Sequence, residues 1–323
     1  MALLQHPRRL WGPWWLLPGG VPLAYVLMVA LVGDFRPEHG LVVLLCLVLA
    51  YATPRTKQFF LSASPYLITG IAYDGLRYPR AALVTSSRVM GCGLRSAELR
   101  LFGVDANTTL QDWFAVHHTA ALDLLCAAPY FAFAYVVLGY AIYLYFVDRP
   151  RMHHFLWSYA VANFIAFGFW LFLPAAPPWY LRAHGCLIDM TAAPSAAALL
   201  RVDELLGFHY FAQFYSRATS VFGALPSMHC AFPLIGLLTA WKHITWRTRP
   251  IHIAYAALMA FSAVYLDHHW VIDVLAGWAV AFVSVAVAAK MMAAFRLWAA
   301  SSSFVQVPEP SAAVETGPAG GAS

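Results

Sequence analysis

Long apolar runs, broken by short polar or proline-containing stretches, set the pattern of this chain. Five runs, at 119–146, 154–173, 228–242, 251–267 and 270–290, are mostly near the ~20 residues that an α-helix needs to cross a bilayer. Upstream, 18–33, 39–53 and 58–73 are shorter or interrupted by Gly and Pro, and each reads as a span, half a span or an interfacial helix. The pattern predicts an all-α fold, a polytopic membrane helix bundle of six to eight spans. It divides into N-terminal membrane and interfacial helices over 1–110, a catalytic membrane bundle over 111–295, and a tail over 296–323. The tail is rich in Ala, Pro, Gly and Ser and is expected to be disordered. No internal repeat is visible.

The polar breaks carry an orientation. The loops Asp148-Arg149-Pro150-Arg151 and 242–249, with Lys290 and Arg296, are positively charged and are expected to face the cytoplasm. The loop 174–225, His229 and the segment 268–273 then share the opposite face. Arg8 and Arg9 precede an apolar stretch with no small-residue cleavage site, which reads as an uncleaved first span. A cytoplasmic N-terminus requires an odd number of spans before 119, hence six or eight in all. Arg77, Arg80, Arg88, Arg95 and Arg100 fall on the outer side, in an interfacial segment facing anionic headgroups.

Composition sharpens this picture. Of 323 residues, 61% are hydrophobic and only 11% charged, against about 25% charged in soluble domains. Twelve Trp and sixteen Tyr suit interfacial aromatic belts. The net charge of +5 is spread too thinly for a nucleic-acid footprint, so no nucleic-acid partner is expected. The five cysteines form no CxxC pattern, which argues against a thiol-bound metal. Cys92 and Cys186 both fall outside and are expected to pair in an oxidising compartment.

Candidate chemistry sits at the membrane edges. Leu225-Pro226-Ser227-Met228-His229 opens one apolar run, and His268-His269-Trp270-Val271-Ile272-Asp273 opens another. Residues i and i+4 are neighbours on a helix, so Asp273 is expected to orient the His269 ring, while His268 points away. One HxxxD pattern is weak alone, but ionisable groups at membrane depth are rare and usually functional. His269 is the candidate nucleophile, Asp273 its partner and His229 the acid that protonates a leaving alkoxide. Ser227 is either a helix cap or, with the free N–H groups behind it, a phosphate contact. His117-His118 and His153-His154 lack a carboxylate four residues on and read as structural.

Pro226-Ser227-Met228-His229 with His269-Trp270-Val271-Ile272-Asp273 resembles the second and third signature motifs of the type 2 phosphatidic acid phosphatase superfamily. That resemblance implies a helical bundle using phosphohistidine chemistry. The stretches 172–180, 222–229 and 265–269, and more distantly Tyr73-Asp74-Gly75-Leu76-Arg77, are similar to the inositol phosphorylceramide synthase branch. Two features depart from the wider phosphatase pattern. No Lys-x6-Arg-Pro first motif precedes the other two, and Ala263 stands where a phosphate-binding arginine is usual. Arg77, Arg182 and Arg217 are the candidates for the missing cation, and Tyr73 and Asp74 join them as candidate substrate-binding residues.

The resemblance implies a membrane phosphotransferase that moves a phospho-headgroup, phosphoinositol above all, from a glycerophospholipid to a ceramide-like acceptor. Two alternatives stay open. One is a lipid phosphatase acting on phosphatidate or a polyprenyl diphosphate; the other is a non-catalytic lipid-binding protein. No metal or organic cofactor is expected, since side chains supply acid, base and nucleophile. The expected partners are the donor lipid, the acceptor lipid and the membrane, with the site on the periplasmic or lumenal face; nothing in the chain speaks for or against an accessory subunit.

Overall fold

The computed structural model describes residues 2–218 and 220–301. The N-terminal part runs through α1 (Ala2–Trp11), α2 (Leu17–Leu31), α3 (Pro37–Tyr51) and α4 (Pro54–Gly75). Short helices α5 (Arg77–Leu83), α6 (Cys92–Phe102) and α7 (Leu110–Val116) lead to the long pair α8 (Ala120–Val147) and α9 (Arg149–Phe172). After α10 (Pro178–His184), α11 (Leu200–Leu206) and α12 (Tyr210–Tyr215) come α13 (Met228–Ala240), α14 (Arg249–Tyr265) and α15 (Val271–Ser301). The expected tail beyond Ser301 lies outside the described residues.

Local chemistry sets the helix starts. Thr53 caps α4 by accepting from Thr56 N, with Pro54 in the first turn where its missing N–H is harmless. Asp148 ends α8 and starts α9, its carboxylate accepting the Arg151 N–H at 3.1 Å. Thr109 and Asp112 form a reciprocal capping box at α7.

The core is a bundle in which α15 packs between α9 and α13, α13 also lies on α14, α14 on α8, and α4 on α9. Its buried contacts include Leu144, Met152, Phe155 and Leu156 against Ile235 and Ala281. Gly277 permits the tightest approach. A Cβ there would fall 2.2 Å from the Ser227 carbonyl oxygen, so α15 meets the start of α13 backbone to backbone.

Among the described residues three helices, α8, α9 and α15, are long and apolar enough to cross a membrane. The segments His6–Trp14 and Leu17–Leu31, bent by 84°, make a fourth if they are one span. The chain is an integral membrane protein. Six to eight spans are reached only by counting shorter helices such as α13, of 13 residues, and α14, of 17, which fall below a bilayer's ~20. Ring contacts sort the helix ends. Phe59 meets Tyr145 and His243 meets Asp148 at one end, while Tyr73 meets Phe167 and Trp170 at the other, which is also the histidine end.

Cys92 and Cys186 are disulfide-bonded, as the chain predicts, tying α6 to the loop after α10 across 94 residues. Cys46, Cys126 and Cys230 are free and buried. Closing a loop of that length stabilises by about 2–5 kcal/mol. Cys92→Ser is therefore expected to lower the thermal unfolding midpoint of the purified protein to that of the wild type in reductant. An unchanged midpoint in both would show that the bridge carries no stability.

Candidate active site

Short backbone bridges bring the sequence motifs together. The proline-rich stretch beginning at Pro174 lies between two strands of loop: Met90 N–H donates to Pro174 O at 2.8 Å, and Ala175 N–H donates to Phe222 O at 3.0 Å. Trp270 fastens the third segment, its indole N–H donating to Ala176 O at 2.9 Å. The loops at 90, 175, 223 and 270 thus form one layer over the histidine end of the bundle, with Tyr180, Phe222 and Trp270 buried within it.

His229 stands at the start of α13 and His269 just before α15. Nδ1 of His229 lies 3.3 Å from Nε2 of His269. His269 is 6% exposed, and its Nδ1 is 2.9 Å from the Ala224 carbonyl oxygen. A carbonyl only accepts, so Nδ1 carries the proton and Nε2 presents its lone pair towards His229. Asp273, expected to orient this ring, has Oδ2 3.5 Å from the same Nδ1, farther than the Ala224 carbonyl, and also accepts the Trp270 N–H at 2.9 Å. A backbone carbonyl sets the tautomer, while the fully buried Asp273 carboxylate supplies charge close by. Asp273 O accepts the Ser227 N–H at 2.9 Å, locking the two motifs in register.

Aromatic rings wall the pair. Tyr130 stacks on His229 with centroids 4.4 Å apart, and Phe133 lies at 4.7 Å. His268 faces away, bonding Ala196 O at 3.1 Å and stacking on Tyr215 and Tyr130. Burial pushes its ring down to about 3, so it stays neutral and packs. Beyond Phe133, an apolar cavity of about 220 Å³ runs between α8, α9, α13 and α14, lined by Val137, Tyr140, Phe155, Phe232, Gly236 and Tyr255 among others.

The other candidates are placed less simply. Ser227 is fully buried at the position before α13, but its hydroxyl donates to Cys230 Sγ at 3.3 Å and makes no cap. Tyr73 reaches the site region through Trp170, whose indole lies 3.7 Å from where a Gly223 Cβ would be. Asp74 is enclosed by Arg36, His39, Tyr25 and Arg77. Arg77 is therefore paired with a carboxylate that it shares with Arg36. Arg182 is likewise engaged, at 2.9 Å by Asp267 and 3.4 Å by Asp112. Burial pushes the Asp267 carboxyl up to about 7 against the pull of Arg182. Arg217 is exposed, and its guanidinium has no partner among the described residues. Ala263 is fully buried, with its carbonyl accepting the His269 N–H at 3.0 Å, so an arginine does not fit there.

Sequence reasoning missed several members. Arg201 grips Asp123 through Nε and Nη2 at 3.1 and 2.6 Å, and Tyr265 donates to the same carboxylate at 2.9 Å, joining α8, α11 and α14. Buried Glu98 and Gln111 bond the backbone around His269. His118 approaches Asp123 at 3.5 Å, His153 bonds Ser62 and His154 bonds Val285 O, so these histidines serve the scaffold. Among the described residues no group of His, Cys, Asp and Glu has the arrangement of a metal site.

No solved structure matches this chain. It is 34% identical over 261 residues to the phosphoinositol dihydroceramide synthase of Bacteroides thetaiotaomicron, covering 78% of this chain and 84% of that one. It is 28% identical over 244 residues to the inositol phosphorylceramide synthase of Candida albicans, covering 72% and 49% of the two chains. Identity to the inositol phosphorylceramide synthase catalytic subunit of Saccharomyces cerevisiae is 28% over 245 residues, covering 72% and 57%. The chain thus spans about half the length of these fungal relatives. The sequence model described as PAP2 superfamily matches residues 94–287, which hold both histidine motifs and the helices that carry them. The chain belongs to the PAP2 superfamily.

Proposed function

We propose that this chain is a lipid phosphotransferase that moves phosphoinositol from phosphatidylinositol to the hydroxyl of a ceramide-like lipid through a phosphohistidine. The observation that carries the reading is the ring pair: His269 Nε2 unprotonated, its other nitrogen anchored on Ala224 O, and a second histidine 3.3 Å away. Nε2 attacks phosphorus, the P–O bond to diacylglycerol breaks, and protonated His229 gives its proton to the leaving oxygen. Asp273 stabilises the positive charge that develops on the His269 ring. The acceptor hydroxyl then attacks the phosphohistidine, His229 takes its proton, and the P–N bond breaks. A phosphoryl group does not fit in a 3.3 Å gap, so the rings must part when the donor binds.

The relatives named as inositol phosphorylceramide and phosphoinositol dihydroceramide synthases support transfer over hydrolysis. The alanine at 263 supports it too, since a phosphodiester carries less charge to neutralise than a monoester dianion. Basic loops at the opposite end of the bundle and the disulfide beside the site support an extracytoplasmic position for the chemistry. Liposomes of headgroup-labelled phosphatidylinositol test the acceptor. A labelled sphingolipid formed only when ceramide is present is the expected product; soluble inositol phosphate released equally without ceramide would make the chain a hydrolase.

The cavity beyond Phe133 suits the hydrocarbon chain of a substrate. Excluding two methylenes from it removes about 1.6 kcal/mol, at ~0.8 kcal/mol each. Gly236→Phe is therefore expected to raise the KM for long-chain ceramide about fifteenfold and to leave short-chain ceramide nearly unaffected. Equal effects on both chain lengths would assign the cavity no part in chain binding.

A further inference from the structure

Glu98 is a fully buried carboxylate on α6, and α6 contributes none of the groups around the ring pair. An unpaired charge there is strongly unfavourable, so its partners show what it is for. Oε1 accepts the Val271 N–H at 2.7 Å and Oε2 accepts the Ile272 N–H at 3.2 Å. These belong to the first turn of α15, whose N–H groups have no partner within the helix. The residue before Val271 is Trp270, whose indole offers no acceptor. Asp273 covers the Trp270 N–H, and Glu98 covers the next two.

Gln111 on α7 completes the clamp. Its Nε2 donates to Glu98 Oε1 at 3.2 Å and to the His269 carbonyl at 3.1 Å. With the His269 N–H on Ala263 O, the backbone from His269 to Ile272 is held by named partners on four elements. Burial pushes the Glu98 carboxyl above the usual range, and the bonds from Val271, Gln111 and Ile272 pull it back down. A negative group at this helix start is also favoured by the helix dipole.

We propose that Glu98 and Gln111 are positioning residues, a clamp from outside the bundle that fixes the backbone of His269 and thereby aims its Nε2 at phosphorus. The inference rests on His269 being the nucleophile. Since neither side chain touches substrate, loosening the clamp lowers kcat and leaves KM unchanged. Misplacement of a nucleophile by an ångström reduces rate about 100-fold. Glu98→Ala is expected to lose about that much, and Glu98→Gln, which keeps one acceptor oxygen, about tenfold.

The test uses the purified full chain in liposomes of phosphatidylinositol and ceramide, with kcat and KM measured for wild type, Glu98→Ala, Glu98→Gln, Gln111→Leu and His269→Ala. Unfolding midpoints and thiol counts establish that each variant is folded and bridged. The expected result is a graded fall in kcat, Ala below Gln, at constant KM. Where Glu98→Ala gives no folded protein, Gln111→Leu decides, with an expected three- to tenfold loss of kcat. Folded Glu98 variants with wild-type kcat, or with a raised KM alone, overturn the clamp even though His269→Ala is inactive. Activity retained in His269→Ala removes the basis of both the clamp and the proposed function.

Discussion

Replacing His269 by alanine is expected to lower headgroup transfer by a factor on the order of 10⁴ or more, roughly 5 kcal/mol or above in barrier. Without the imidazole, the acceptor hydroxyl must attack the phosphodiester directly, in one difficult displacement rather than two easier ones. The folded state should survive, because the ring's anchors are Ala224 O and the facing His229, and neither bears on α15's packing against α9 and α13. Asp273→Asn separates this geometry from a conventional His–Asp pair. Where a carboxylate sets the tautomer, its amide replacement reverses the ring and loses about 10⁴. Here the Ala224 carbonyl sets it, and no side-chain change removes that carbonyl. Asp273→Asn is therefore expected to lose only about 10- to 100-fold, through the missing charge. Steady-state transfer rates on both variants check this; equal losses would return the orienting role to Asp273.

Gly277→Ala is expected to destabilise the protein by about 3 kcal/mol, near the upper end for one added methyl in a packed interior. The new Cβ would stand 2.2 Å from Ser227 O and 3.1 Å from Ser227 C, both backbone atoms that no rotamer change can move. The helices must separate by more than an ångström, which breaks the 2.9 Å bond from Ser227 N–H to Asp273 O and pulls His229 from His269. Activity should fall along with the unfolding midpoint. Gly139→Ala is the control. It sits inside α8 with nothing within 4 Å of its would-be Cβ, and alanine is the better helix former by up to ~1 kcal/mol. A Gly277→Ala protein that unfolds where the wild type does would mean that α15 does not pack on the Ser227 turn as described.

The legible part of the site was what depends on local spacing. His229 and His269 announce themselves because each sits at a helix start, where a polar group interrupts an apolar run. The basic loops around 148–151 and 242–249 gave the parity that puts both on one face, and the same parity paired Cys92 with Cys186. What stayed hidden depends on contacts that spacing does not encode. Glu98 and Gln111 act on backbone groups 173 and 158 residues away. The tautomer of His269 is set by a main-chain carbonyl, which every residue has and no motif marks. The pairing of two of the three candidate arginines is hidden for a related reason: a sequence shows charges but not that Asp74 holds Arg77, or Asp267 Arg182. The N-terminal half resisted reading because α2 and α3, of 15 residues each, lie below the length at which apolarity alone implies a crossing.

A phosphohistidine at His269 can be trapped and seen. Purified protein mixed with headgroup-labelled phosphatidylinositol, without acceptor, is quenched in alkali, where a phosphoramidate survives, and digested for peptide mapping. Near-stoichiometric label is expected on the peptide containing His269, absent in His269→Ala and discharged into sphingolipid when ceramide is added. Transfer to ceramide at an undiminished rate with no labelled protein at any time would contradict the phosphohistidine and point to direct displacement between the two lipids.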